Sequence, residues 1–189
     1  GLANFPAKIT RRTGAMIKPV SEYIQIAERM ADAARPIVRR YFRTPMSIAS
    51  KADSSPVTQA DREVEAALRN ILRETCPGHA VIGEEMGGAT DSTGPLWILD
   101  PIDGTSAFAT GVTMFGVLIA LAIDGKFVLG IIDQPINDER WRAAAGSATL
   151  FNGSPARVSG CARLGDARLY TTAPEYFGDA IDAFNRVRD

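Results

Sequence analysis

One histidine, two cysteines and only 7% aromatic residues mark this 189-residue chain by what it has little of. With His79 as the single imidazole, Ser-His and Cys-His catalysis lack their base. The same shortage excludes zinc, whose sites are built from several His and Cys ligands. Cys76 and Cys161 show neither paired metal spacing nor a disulfide framework, which fits a reducing cytoplasm. No apolar run approaches the roughly 20 residues of a membrane span, Met114–Ile123 being the longest. A signal-peptide core is missing as well, because Lys8, Arg11 and Arg12 interrupt the start of the chain. Charge of one sign is also lacking: 21 Lys and Arg against 22 Asp and Glu leave −1, too balanced for a dedicated nucleic-acid binder. Walker A, Gly-x-Gly-x-x-Gly and Gly-x-Ser-x-Gly patterns are all absent, so nucleotide cradles and nucleophile elbows of those kinds are unsupported.

What is present suits a globular chain, with 46% hydrophobic and 23% charged residues. A length of 189 fits one domain or a domain and a half. Residues 1–20 are basic and aperiodic and read as an N-terminal arm or cloning remnant; 21–189 read as the folded domain. Ile24, Ala27, Ala31, Ala34, Val38 and Tyr41 trace one helical face, with Ser21 as N-cap and Pro36 expected to kink or divide it. Val64, Leu68, Ile71 and Leu72 make a second stripe, closed by Pro77-Gly78. Short apolar runs then predict strands at Val81-Ile82, Leu96–Leu99, Phe115–Ile123, Phe127–Ile132, Trp141–Ala145 and Arg168–Thr171. Asp124-Gly125 and Asn152-Gly153 are the hairpin and turn signals among them, because these residues tolerate positive φ. The order is helices, then an antiparallel meander, then a helix beginning over 178–187.

Three acidic clusters sit at strand ends or turns: Gly83-Glu84-Glu85, Asp100-Pro101-Ile102-Asp103-Gly104-Thr105, and Asp61 at the start of the second helix. Hard divalent cations such as Mg²⁺ take oxygen ligands, commonly one or two carboxylates with substrate phosphate. In Asp-Pro-Ile-Asp the proline fixes the chain, so that both aspartates can face one point with the Ile102 carbonyl between them. Gly104, Thr105 and Ser106 then offer backbone N–H groups at a helix start, which suits a phosphate. Taken singly, each feature has a plainer reading. Asp103-Gly104 is a common turn, Glu84-Glu85 a solvated loop, Thr58–Asp61 a capping box, Lys51 a surface lysine, and His79 a loop residue. Arg39, Arg40 and Arg43 read as a solvated helix end. The combination of clusters is what points to metal-assisted phosphate chemistry.

Ser55-Pro56-Val57-Thr58-Gln59-Ala60-Asp61, Ile82-Gly83-Glu84-Glu85 and Trp97-Ile98-Leu99-Asp100-Pro101-Ile102-Asp103-Gly104-Thr105 resemble the successive signatures of the inositol monophosphatase superfamily. Pro135, Glu139, Ala145-Gly146 and Phe151-Asn152-Gly153 follow in the expected order. Phe115-Gly116, Gly130–Pro135, Glu139-Arg140-Trp141 and Leu169–Pro174 look most like its bacterial histidinol-phosphate phosphatase branch. Ser106-Ala107 departs from the residues more usual after Asp-Gly-Thr.

The resemblance implies an α/β fold, the layered α-β-α-β-α sandwich of this family, cut off after the first sheet and the start of the second half. It implies Mg²⁺-dependent hydrolysis of a small phosphorylated alcohol, with two or three Mg²⁺ per site. Carried over by motif, Glu84, Asp100 and the Ile102 carbonyl would hold one metal, and Asp100 with Asp103 a second. Thr105, oriented by Asp61, would help activate the attacking water alongside Glu84, and Gly104, Thr105 and Ser106 would receive the phosphate. Histidinol phosphate is the expected substrate, with inositol 1-phosphate or a nucleotide 3′-phosphate as alternatives. A cytoplasmic homodimer without nucleic-acid or membrane partners is the family expectation. Family members continue to a Trp- or Tyr-Asp pair in an Ala-rich helix, so the 189-residue form is expected to carry an incomplete site and impaired activity. The contrasting expectation is an inactive fragment that binds metal or a partner.

Overall fold

The structure is a computed structural model and describes residues 17–44, 48–50, 56–88, 94–168, 170, 178 and 180–188. Most of the arm over 1–20, Lys51, and Leu169 and Thr171 of the Arg168–Thr171 stretch lie outside the described residues. Arg168 and Tyr170, which are described, are in no strand, contrary to the expectation there. Residues 1–156 and 157–189 form two compact units.

The first unit opens with α1 (Val20–Tyr41). Its buried face is Tyr23, Ile26, Ala27, Met30, Ala31, Ala34 and Val38, turned slightly from the expected stripe so that Ile24 and Tyr41 are only half-buried. Pro19, not Ser21, takes the N-cap position, and its carbonyl accepts from the Glu22 and Tyr23 N–H groups. Pro36 sits on the solvent side and does not divide the helix. A proline there removes one hydrogen bond, while burial of the opposite face holds the turns on either side.

A short antiparallel ribbon of β1 (Ile48–Ser50) and β2 (Pro56–Thr58) leads into α2 (Gln59–Thr75). This helix buries Ala60, Val64, Leu68, Ile71 and Leu72 as the spacing predicts, and also two carboxylates, Asp61 and Glu65. Then follow β3 (Ala80–Gly83), β4 (Gly87–Gly88), β5 (Pro95–Asp103), α3 (Thr105–Ala109), β6 (Gly116–Ile123), β7 (Lys126–Gln134), β8 (Glu139–Ala144), β9 (Leu150–Phe151) and β10 (Ser154–Pro155). They form one eight-stranded sheet in the order β10-β9-β8-β7-β6-β5-β3-β4. The expected meander is its antiparallel run from β5 to β10; β3 beside β5 is parallel, which makes the sheet mixed. Asp124 and Gly125 turn the β6–β7 hairpin at φ 49° and 76°, as their residue types require.

Helices α1 and α2 pack together on the sheet, α1 against β6 and β7 and α2 against β5. Between them lie Trp97, Leu99, Val117, Ile119, Leu121, Leu129 and Ile131. The fold is α/β, and this helix pair on a sheet supplies the first two layers of the expected sandwich. His79, in the α2–β3 loop, accepts a 3.1 Å hydrogen bond from the Trp97 indole and is thereby part of this packing. Arg39, Arg40 and Arg43 are exposed, as expected, and each also acts as a clip. Arg39 donates to the Pro135 carbonyl at 2.9 Å, Arg40 pairs with Glu63 on α2, and Arg43 donates to the Gly111 carbonyl.

The second unit contains a 3₁₀ turn at Leu164–Asp166 and α4 (Ile181–Arg188). Among the described residues, no helix is long and apolar enough to cross a membrane. Cys76 is buried and Cys161 exposed, both as free thiols.

Candidate active site

Parallel pairing of β3 with β5 brings two motifs to one end of the sheet. Gly83 lies opposite Leu99, so Glu84-Glu85, just past β3, lie beside Asp100–Asp103 at the end of β5. The Glu84 N–H extends the pairing by one step, donating to the Leu99 carbonyl at 3.1 Å. Asp61 enters from α2, whose leading strand β2 contacts α3 and so approaches Thr105.

The Asp-Pro-Ile-Asp segment is the end of β5 itself, one of the strand ends expected to carry the acidic clusters. Asp100 pairs with Leu118 and Asp103 with Gly116, so β5 carries one more residue than β6 across this interval. In a regular strand, residues three apart point to opposite faces. The bulge restores the phase, and the Asp103 charge acts on Asp100. Pro101 and Ile102 are buried, which anchors the bulge between the two aspartates.

Asp100 is the electrostatic centre of the cluster. Its carboxyl is pushed from an ordinary 3.8 up to about 8, first by burial, then by the charge of Glu84, a hydrogen bond with the Glu84 side chain, and the charges of Asp103 and Asp61. Glu84, Asp103 and Asp61 therefore each lie close enough to act on Asp100. Burying a carboxylate among carboxylates is unfavourable unless a proton or a cation compensates. Asp100 Oδ1 is buried with no hydrogen-bond partner, an acceptor left over by the protein's own donors. Among the described residues, no three Asp, Glu, His or Cys side chains stand gathered as a finished cation cage. An all-oxygen donor set with a buried leftover acceptor fits a hard divalent cation.

Gly104 has φ 90° and caps α3. A Cβ there would meet the Met114 carbonyl oxygen at 3.1 Å and Phe115 Cβ at 3.3 Å, so glycine is required for both conformation and space. The Thr105 hydroxyl donates to the Ile102 carbonyl at 3.1 Å, tying the start of α3 back to the bulge. Ser106 follows, exposed, on the first turn of α3.

Sequence reading missed Glu65 and Arg69, which reach from α2 to the turn after β3 that bears Glu84 and Glu85. Glu65 has no exposed surface and accepts from the Glu85 N–H at 2.8 Å. A signal was available: Glu65 stands four residues after Asp61 on a helix whose neighbouring buried positions are apolar. Asp133, also fully buried, was missed because its partners Arg35 and Arg140 are remote in sequence.

Residues 20–179 match the profile of the inositol monophosphatase family. The chain is 43% identical over 173 residues to the bifunctional phosphatase IMPL2, chloroplastic, of Arabidopsis thaliana, covering 90% of this chain and 50% of that protein. Histidinol-phosphatase of Mycobacterium tuberculosis is 41% identical over 152 residues, covering 77% and 58%. Among solved structures, an inositol monophosphatase from Zymomonas mobilis superposes with a TM-score of 0.77 at 44% identity, covering 91% of this chain and 67% of that one. The chain thus spans about half to three-fifths of the length of these curated relatives. It belongs to the inositol monophosphatase family of metal-dependent phosphatases.

Proposed function

We propose that this chain carries the cation- and phosphate-binding half of a Mg²⁺-dependent phosphomonoester hydrolase acting on histidinol phosphate. The observation that carries the reading is Asp100, a buried carboxylate with a leftover acceptor, set among Glu84, Asp103 and Asp61. Glu84, Asp100 and the Ile102 carbonyl would hold one Mg²⁺, and Asp100 with Asp103 a second. When bound, the cations supply Lewis acidity and neutralise charge on the phosphoryl group. The chain's own residues do the positioning. First-turn N–H groups of a helix have no acceptor within the helix, so those of Gly104, Thr105 and Ser106 would receive the phosphate oxygens. Thr105, turned toward Asp61 in the working state, would orient the attacking water together with Glu84.

Histidinol phosphate is favoured by the identity to the Mycobacterium tuberculosis histidinol-phosphatase. Inositol 1-phosphate is the second reading, favoured by the equally similar Zymomonas mobilis inositol monophosphatase. A cytoplasmic homodimer of the complete protein belongs to the same proposal. Phosphate release from both substrates by the complete gene product, with Mg²⁺ and with EDTA, is the test. Mg²⁺-dependent release at least tenfold faster from histidinol phosphate supports the first reading. Preference for inositol phosphate selects the second, and cation binding without any turnover would leave the chain an inactive binder.

A further inference from the structure

Two side chains of α2 hold the backbone of the turn that bears Glu84 and Glu85. Glu65 Oε2 accepts the Glu85 N–H at 2.8 Å, and both Glu65 oxygens accept the Met86 N–H at 3.3 Å. Arg69, one helical turn on, donates through Nε to Glu65 Oε1 at 2.7 Å and through its other edge to the Gly87 carbonyl. The strand before the turn is shaped around the same carboxylate: a Cβ on Gly83 would lie 2.0 Å from Glu65 Oε1. No apolar residue would leave these N–H groups satisfied, and a fully buried ionisable side chain is kept only where its partners repay its desolvation. Core packing alone does not account for a carboxylate here.

The consequence is geometric. Turn 84–87 is fastened on one side to β5, through the Glu84 N–H and the Leu99 carbonyl, and on the other to α2, through Glu65 and Arg69. Helix α2 also carries Asp61, and β5 carries Asp100 and Asp103. Three elements that deliver carboxylates to the cluster are thereby locked to one another by a carboxylate that is not itself among the expected ligands. We propose that Glu65, braced by Arg69, is a positioning residue that sets the cation affinity of the cluster by pinning the Glu84-Glu85 turn to α2. This rests on reading the cluster as a cation site. Residues behind the ligands commonly govern metal affinity in this way, and their loss weakens binding by about 10- to 100-fold.

The test is a Mn²⁺ titration of the 189-residue chain, read by electron paramagnetic resonance, with amide hydrogen exchange of Glu85 and Met86 measured alongside. Glu65→Gln keeps the shape but turns an NH₂ group toward backbone donors. It should weaken Mn²⁺ binding by about 10- to 100-fold and speed exchange at both amides. Leu72→Ala, a core truncation on the same helix, is the control for stability alone; it should lower the melting temperature and leave Mn²⁺ affinity within about twofold. Equal Mn²⁺ affinity in Glu65→Gln and the unsubstituted chain overturns the positioning role while the cation site stands. Equal weakening by Leu72→Ala overturns it too, since affinity would then only follow stability. An unsubstituted chain that binds no Mn²⁺ removes the cation site and this inference with it. If Glu65→Gln fails to fold, Arg69→Met carries the same test: weaker Mn²⁺ binding supports the brace and unchanged binding overturns it.

Discussion

Arg35 reaches from α1 into the sheet and grips Asp133 side-on, with Nε 3.0 Å from Oδ2 and Nη2 2.9 Å from Oδ1. Asp133 has no exposed surface, and Arg140 also donates to it, at 2.6 Å from β8. Both arginines also reach outward, Arg35 to Asp138 and Arg140 to Asp32. A fully buried anion with two largely buried cations is still an asymmetric arrangement: the arginines have other, exposed carboxylates to turn to, and the aspartate has nowhere to go.

That asymmetry predicts an order of stability. Arg35→Met should destabilise the first unit by about 3 kcal/mol, because a buried charge loses its main partner. Asp133→Leu should cost clearly less, since both freed guanidinium groups retain exposed partners. Urea unfolding followed by tryptophan fluorescence reports on both, as Trp97 and Trp141 lie on β5 and β8. The reverse order would mean that the arginines depend on Asp133 and not the other way round.

Asp100 predicts a pH dependence whose sign follows from its raised carboxyl. Its folded value of about 8 lies above the ordinary 3.8. Between those values the folded chain keeps a proton that the unfolded chain has released, so cation-free stability falls as pH rises from about 4 to 8. In EDTA, Asp100→Asn should therefore melt at a higher temperature than the parent at pH 8, with the gap closing toward pH 4. Cation binding must expel the same proton, so Mg²⁺ affinity should rise about tenfold per unit between pH 6 and 7 and level off above 8. Calorimetry in buffers of different ionisation enthalpy counts that proton directly. Binding that releases none at pH 6 would show that Asp100 is not a ligand.

The parts legible in the sequence were those with a local signature. Asp-Pro-Ile-Asp-Gly-Thr, Gly-Glu-Glu and the Asp124-Gly125 hairpin each announce themselves within a few residues. The phase-restoring bulge at Asp100–Asp103 was not legible, because it exists only relative to the register of β6. The same holds for the partners of Glu65, though its position on the helix hinted at burial: they are N–H groups of a turn about 20 residues away, and backbone donors leave no mark on composition. The clips made by Arg39 and Arg43 were not legible for a related reason, since their acceptors are carbonyls at Pro135 and Gly111.

Gly83 predicts a clash that can be relieved but not repaired. Gly83→Ala drives a methyl group to 2.0 Å from Glu65 Oε1 and 2.3 Å from its Cδ, inside a strand paired on both sides. Overpacking of this kind should cost about 1–3 kcal/mol and displace Glu65 from the turn. Adding Glu65→Ala removes the obstacle, so the double variant should regain stability over Gly83→Ala in urea unfolding. Its Mn²⁺ affinity should stay low, because the grip on the Glu85 and Met86 amides is gone. Recovery of both properties together would mean that the turn holds its shape unaided.

Thr105 separates a structural hydroxyl from a catalytic one. Its bond to the Ile102 carbonyl is partly exposed, so losing it in Thr105→Ala should cost only about 1 kcal/mol of stability. The proposed orientation of the attacking water by Thr105 and Asp61 asks far more of the same hydroxyl. Positioned proton transfer is worth about 10²- to 10⁴-fold in rate. Thr105→Ala in the complete gene product should therefore lower kcat by at least about 10², with KM for the phosphomonoester little changed. Thr105→Ser keeps the hydroxyl and should retain most of the rate. If Thr105→Ala and Thr105→Ser both stay near the parental kcat, the hydroxyl only fastens α3 to the bulge, and the water must be oriented from elsewhere in the cluster.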